Sequence, residues 1–298
     1  MKLAASYQNI ELMAPDDAAL SFFKSPFAAH ETGSAVDIAY GDFGSAAYSP
    51  VDGEVVNIRE FDTPTPFKDR DFKEYLTAIS CKGFIVKIMH VKPDVEIGDR
   101  VRTGEEFGTF IRSGYYYFWN FPHMHVEVRT PDDYVRASNN MLLDVPVGAV
   151  KKVGCGMAED GNVFGFTGEV VFSDRRFALI DCPDHSRSGA INGYAVHGYL
   201  LDGFIPTGEH ALHRFALIGE SRTVPPFDTF KSSGNWHMVH SSSVGLRVSD
   251  GKNHMIDAAG VSFILFFGKP LIKLIPTRYG EYLPQCGETL SIQIETKK

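Results

Sequence analysis

The residues best equipped for chemistry lie in three short stretches of the first half. In PHMHVEV, Pro122–Val128, a strand alternates its side chains. His123, His125 and Glu127 then project from one face, and Met124, Val126 and Val128 from the other. Two imidazoles on one face suit metal binding combined with proton transfer. The same pattern also serves as a pair of surface or hydrogen-bonded histidines, so it decides nothing alone. Upstream, in HETGSAVDIAYG, His30 sits in a Gly-containing loop and Asp37 on the strand that follows. A loop closing over Gly33 returns the imidazole to the carboxylate. The bland alternative is an aspartate that caps a turn. Together these two stretches supply neutral imidazoles and one carboxylate, a set zinc favours when its fourth position is left to water or substrate. In GFIVKIMH, Phe84, Val86 and Ile88 alternate onto one face and His90 continues it. Such a histidine is ordinarily a core or rim residue, unless the strand leads into a metal cleft.

The elements that must position these side chains are strands. Helical periodicity is scarce, and strand-like runs bounded by Gly, Pro, Asp and Asn dominate, which predicts an all-β, mostly antiparallel protein. Strands are expected near Ala35–Tyr40, Gly53–Ile58, Gly83–His90, Glu106–Ile111 and His123–Arg129. Phe61–Leu76, with Pro64, Pro66 and then a charged run, reads as a long loop with at most one helical turn. A short helix is expected after Pro131, with Asp132 and Asp133 in its first turn. Pro and Gly punctuation over Leu143–Gly156 places a domain boundary there, giving domains at 1–145 and 155–298. Beyond it, strands are expected at Val163–Phe172, Phe177–Asp181, Tyr194–Leu201, Arg214–Gly219, Trp236–His240, Val244–Val248, Val261–Phe267 and Leu290–Glu295. Ile191-Asn192-Gly193-Tyr194 reads as a type I′ hairpin turn and Ser249-Asp250-Gly251-Lys252 as a second turn. This spacing suggests a sandwich or barrel. The echo between Arg176–Asp181 and Arg214–Gly219 is too short to be a repeat.

The order of these stretches resembles the lysostaphin-like or LytM-type zinc metalloendopeptidases, which cleave peptide cross-bridges of bacterial cell walls. The family's His, Gly and Asp followed by Ile-Ala are matched by His30, Gly33, Asp37, Ile38 and Ala39. Its Pro-x-x-Gly-x-Val-Val strand is matched within Ser49–Val56, and its strand ending in His by Ile88–His90. The turn-rich stretch that follows is matched by Gly98, Val101 and Gly104, and Pro-His-x-His-x-Glu-Val by Pro122–Val128. The resemblance spans about residues 25–135 and nothing beyond. It implies a metallopeptidase-like β-sandwich/barrel hybrid, a duplicated hybrid motif related to lipoyl-carrier domains, with an open groove. It also implies that His30, Asp37 and His125 hold Zn²⁺, and that His123 and His90 are the catalytic pair that handles protons and stabilises an oxyanion. The implied function is metal-assisted hydrolysis of a peptide substrate, of cell-wall type or containing glycine. A non-catalytic module that keeps the fold and the metal is the alternative.

Two features depart from the family. ETGSAV widens the interval between His30 and Asp37, so the ligand set requires that insert to bulge. The loop before the H-x-H strand, Arg112–Phe121, carries six aromatic residues where the family has small ones. Tyr115, Tyr116 and Trp119 are candidates for a substrate-stacking wall, while packing of the same rings onto the second domain is the structural alternative.

The bulk of the chain excludes several other functions. A net charge of −8 with scattered Lys and Arg argues against nucleic acid as a partner. No stretch approaches the roughly 20 apolar residues of a membrane span. The first 20 residues lack the apolar core of a secretory signal. As written the chain is expected in the cytoplasm, and outside the cell only if a signal has been removed. Cys81, Cys155, Cys182 and Cys286 lie too far apart for a zinc ribbon and read as buried thiols. In the second domain, His210/His213 and His237/His240 lie on strand or loop, where i and i+3 point apart, and read as structural. Asp181, His185 and Ser186 lack the context of a catalytic triad. Oligomeric state is left open.

Overall fold

Short runs of apolar residues alternating with polar ones give strands of two to eleven residues almost throughout, and the computed structural model is all-β and antiparallel. It describes residues 1–63, 72–136, 141–153, 158–160, 162–208, 214–221, 223 and 225–297. Two compact units form: Met1–Phe22 with Phe27–Pro146, and Phe23–Pro26 with Val147–Lys298.

The first unit opens with a hairpin, β1 (Lys2–Tyr7) and β2 (Ile10–Ala14), then β3 (Ala19–Ser21) and a single helical turn, α1 (Ala28–Glu31). There follow β4 (Ala35–Ala39), β5 (Ala46–Tyr48), β6 (Gly53–Asp62), β7 (Lys73–Cys81), β8 (Phe84–Met89), β9 (Val91–Pro93), β10 (Arg100–Val101), β11 (Glu106–Phe110) and β12 (His123–Arg129). The main sheet runs β10-β6-β7-β8-β12-β4-β3, and a small sheet runs β5-β11-β9. One face of the main sheet is apolar: Val36, Val126 and Ile88 are successive cross-strand partners, and all three are buried. Each such side chain contributes roughly 1.5–3 kcal/mol by leaving water. The opposite face carries Asp37, His125 and Met89 as the next row of partners. Period-two alternation therefore separates the core from the polar face on the same three strands.

Two sequence expectations for this unit are corrected. The region read as a long loop at Phe61–Leu76 contains the end of β6 and the start of β7, paired from Glu54↔Ser80 to Asp62↔Lys73. The charged residues there stay compatible with strands because they face water and pair across them, as in Lys73–Asp62. Pro64 and Pro66 lie outside the described residues. Among the described residues no helix follows Pro131; Thr130–Asp133 is a turn in which the Asp133 N–H donates to the Thr130 carbonyl at 3.2 Å.

In the second unit the antiparallel order is Thr229–Ser233, Trp236–Val239, Phe215–Ile218, Tyr199–Pro206, Gly260–Phe263, Ile272–Ile275, Ala178–Asp181, Val163–Ser173, Thr289–Thr296 and Val244–Asp250. Phe164, Phe166, Tyr194, Phe215, Phe263 and Ile292 are among its core residues. The hairpin turn expected at Asn192-Gly193 is corrected, since both residues lie in the strand Ile191–Gly193. The continuous strand expected at Tyr194–Leu201 instead folds back at His197-Gly198, whose φ values are +48° and +83°. Two consecutive positive φ angles are what a type I′ turn requires, and this pair supplies them. Likewise Val261–Phe267 divides into Gly260–Phe263 and Leu265–Phe266. Among the described residues no helix is long and apolar enough to cross a membrane.

Candidate metal centre

Strand register and one helical turn build the site. β4 and β12 pair so that Asp37 lies opposite His125, and cross-strand partners present their side chains to the same face. His30 arrives from α1. The interval between His30 and Asp37 is taken up by that turn and its exit: the Thr32 N–H donates to the Ala28 carbonyl, and the Ser34 N–H to the Ala29 carbonyl at 2.8 Å. Gly33 reverses the chain at φ +70°, a conformation open to glycine at little cost. The wider spacing is thus absorbed as a helical turn, and His30 is brought back over β4.

The three side chains converge closely enough to hold a metal ion. His30 Nε2 lies 3.1 Å from His125 Nδ1, His125 Nδ1 3.0 Å from Asp37 Oδ1, and His30 Nε2 3.2 Å from Asp37 Oδ1. A tetrahedral zinc ion with nitrogen and oxygen ligands at ~2.0–2.1 Å has edges of roughly 3.3 Å, so this triangle needs to open only slightly. These three residues are also the group whose ligand atoms converge within 4.8 Å among the described residues. The second nitrogen of each ring is committed elsewhere. His30 Nδ1–H donates to the Phe22 carbonyl at 2.7 Å, and His125 Nε2–H to the Glu127 carboxylate at 3.0 Å. Because a carbonyl and a carboxylate only accept, each ring turns its other nitrogen toward Asp37, as an N–H donor when the ring is protonated and as a bare lone pair when it is neutral.

The surrounding charges favour a cation. Burial pushes the Asp37 carboxyl up, but His123 and His30, with hydrogen bonds from His125 and His30, outweigh it and hold the pKa well below the carboxylate range. Burial pushes His125 down, but the Asp37 and Glu127 carboxylates carry it up to about 9. The pocket therefore retains positive charge at neutral pH, as a proton or as a metal ion. Glu127 is itself anchored, accepting from Lys87 Nζ at 2.8 Å and Arg129 Nε at 2.5 Å. Burial raises its pKa, and His125, Lys87 and Arg129 more than reverse the effect. The residues present fit a zinc ion: two imidazoles and a carboxylate, each ring oriented by an acceptor behind it.

His123 and His90 stand beside this triangle. His123 Nδ1–H donates to the Phe121 carbonyl at 2.8 Å, and its Nε2 lies 3.5 Å from Asp37 Oδ2. His90 does not follow the alternation of β8. Ile88 faces the core and Met89 is the partner of His125, so a continued strand would turn His90 away from the histidine face. Instead its φ is +70°, a left-handed conformation rare outside glycine, and the ring swings to 5.2 Å from that of His123 and 6.1 Å from that of His125. Glu74 on β7 holds it there, accepting from the His90 N–H at 2.8 Å and from Nδ1–H at 2.6 Å.

Of the candidate aromatic residues, Tyr116 enters the site. Its ring stacks on His123 at 4.6 Å and meets His90 edge-on at 4.8 Å, and its hydroxyl donates to the His123 carbonyl at 2.8 Å. Burial raises the Tyr116 pKa well above its ordinary value. Tyr115 meets Phe27 edge-on, and Trp119 stacks on Tyr117 at 4.6 Å. The five predicted residues, His30, Asp37, His90, His123 and His125, are all brought together. Sequence reasoning missed the role of Glu74 because it read that segment as loop. It placed Glu127 on the correct face without a partner, although the Lys and Arg beside it were visible signals. In the second unit, His237 Nδ1 bonds the Ser232 hydroxyl and His240 packs on Phe230. His210 and His213 lie outside the described residues, as does Cys155.

Residues 10–145, the part of the chain that carries this site, match the model of the Domain of unknown function (DUF8155) N-terminal domain. A search of curated proteins finds no match to the chain.

Proposed function

We propose that the first unit is a zinc metalloendopeptidase-like hydrolase acting on peptides of the cell-wall or glycine-containing kind. The observation that carries this reading is the triangle of His30 Nε2, Asp37 Oδ1 and His125 Nδ1, with sides of 3.0–3.2 Å, beside two further imidazoles. The ordered resemblance to the lysostaphin-like or LytM-type family supports it. Zinc held by these three residues supplies Lewis acidity toward a carbonyl and toward water. His123, with Nδ1–H committed to the Phe121 carbonyl, presents Nε2 to take up or return a proton. His90, with Nδ1–H committed to Glu74, presents its own Nε2 in the same way. Tyr116 excludes water from the face of His123 on which it stacks.

A second reading rests on burial. His30, Asp37 and His123 are 1%, 3% and 3% exposed, and Tyr116 lies against the proton-handling pair. A site this closed also suits a non-catalytic module that holds a metal and binds a ligand elsewhere. Metal analysis of the purified chain, followed by incubation with glycine-containing peptides, separates the two. The peptidase reading expects stoichiometric zinc, its loss in His125→Ala, and hydrolysis that disappears in His123→Ala while zinc is retained. Absence of zinc removes the reading altogether. Zinc with no hydrolysis of any peptide favours the binding module.

A further inference from the structure

Glu74 makes an unusual number of bonds for one buried carboxylate. Its side chain is 0% exposed, and four donors converge on its two oxygens. Oε1 accepts the N–H of Tyr75 at 2.9 Å and the N–H of His90 at 2.8 Å. Oε2 accepts Nδ1–H of His90 at 2.6 Å and the hydroxyl of Ser113 at 2.5 Å. Two of these donors belong to His90, one from its backbone and one from its ring. The residue they clamp is the one that abandons the alternation of its strand with φ +70°. A non-glycine residue in this conformation is strained, and it persists only where the surroundings over-determine it. Hydrogen bonds to an ionised carboxylate are among the stronger ones, and the pair from His90 acts against that strain.

We infer that Glu74 is a positioning residue: it holds the His90 backbone in the left-handed conformation and fixes its ring as the Nδ1–H tautomer, so that Nε2 faces the metal site. Ser113, the other side-chain partner, starts the segment that delivers Tyr116 to His90 and His123. One carboxylate thus sets both the imidazole and the base of the aromatic loop that covers it. A carboxylate is required because both oxygens must accept. A glutamine in the same place puts an accepting oxygen at one of these two positions and a donating nitrogen at the other, so the backbone N–H and the ring N–H of His90 no longer each meet their own acceptor. The catalytic consequence rests on the peptidase reading, whereas the tautomer and backbone conformation do not.

Long-range ¹H–¹⁵N NMR of the histidine rings in the full chain tests this directly. In the unsubstituted protein His90 is expected as the Nδ1–H tautomer, with a hydrogen-bonded ring proton shifted strongly downfield. Finding it as Nε2–H overturns the inference without any variant. In Glu74→Gln the His90 ring is expected to lose that single tautomer, while His30 and His125 keep theirs and zinc content is unchanged. Ser113→Ala is expected to leave the His90 tautomer intact. A folded Glu74→Gln protein with His90 unchanged also overturns the inference. If peptide hydrolysis is present, Glu74→Gln should lower kcat about 100-fold with KM little changed, the size expected for a displaced acid–base group. If hydrolysis is absent from the unsubstituted chain, the peptidase reading fails while the tautomer still decides the role of Glu74.

Discussion

At the residue scale, the triangle of His30, Asp37 and His125 assigns different consequences to neighbouring histidines. Under the proposed function, His125→Ala removes one of three ligand atoms and should abolish stoichiometric zinc, read by elemental analysis. His123→Ala leaves the triangle intact and, under the proposed function, should lower kcat about 10²–10⁴-fold with the metal retained. Glu74 makes the stability of the first unit depend on pH in the acid range. Burial raises its pKa, but the pairing with His90 and the hydrogen bonds from His90, Ser113 and Tyr75 hold it below the ordinary value of 4.5. Because the folded value is the lower one, the unfolded chain binds the proton first as pH falls. The stabilisation is complete above about pH 4.5 and is lost as pH drops through the folded value. Thermal melts from pH 6 down to pH 3 should show a steeper acid loss for the unsubstituted chain than for Glu74→Gln, which lacks this carboxylate. The candidate ligands were legible in the sequence only as candidates, since H-x-H on a strand and His near Asp are weak local patterns, and it was the family resemblance that implied the set His30, Asp37 and His125. Glu74 was not, because it meets His90 only through the pairing of β7 with β8.

At the element scale, the site depends on two departures from regular geometry, α1 and the left-handed turn after it. Gly33 at φ +70° closes the segment that carries His30. Gly33→Ala should cost about 1–2 kcal/mol through the left-handed penalty. Under the proposed function it should also weaken zinc binding, because relief of the strain moves His30 away from Asp37. Titration with a competing chelator checks this, and unaltered zinc affinity together with unaltered stability would contradict it. The positions of β4, β8, β11 and β12 could be read from alternation, which is a property of each segment. The strand β7 could not. Its flanking prolines and charges imitate a loop, and only its pairing with β6 reveals it. The turn at His197-Gly198 escaped for a related reason: Asn192-Gly193 is the stronger local signal, yet the Asn192 side chain donates to the Phe267 and Gly268 carbonyls within a strand.

At the scale of the whole molecule, each unit has its own core, and the chain does not divide between them at a single point. Phe23–Pro26 leaves the N-terminal run to join the second unit. There the Phe23 N–H donates to Asp202 at 3.0 Å, and its ring packs 4.9 Å from that of Trp236. Phe23→Ala in the full chain should therefore destabilise the second unit by about 3–5 kcal/mol, although it lies only seven residues before His30. Calorimetry would detect this as a lowered transition, and an unchanged melting profile would refute it. An all-β chain, a polar face bearing two histidines on one strand, and a separate strand bearing a carboxylate were determined by the sequence itself, because period-two alternation is set residue by residue. Only the tertiary structure decided that Asp37 stands opposite His125, that α1 returns His30 to both, and that Glu74 turns His90 out of its strand. Register and loop return are settled by the joint packing of segments far apart in the chain, and no local spacing carries that information.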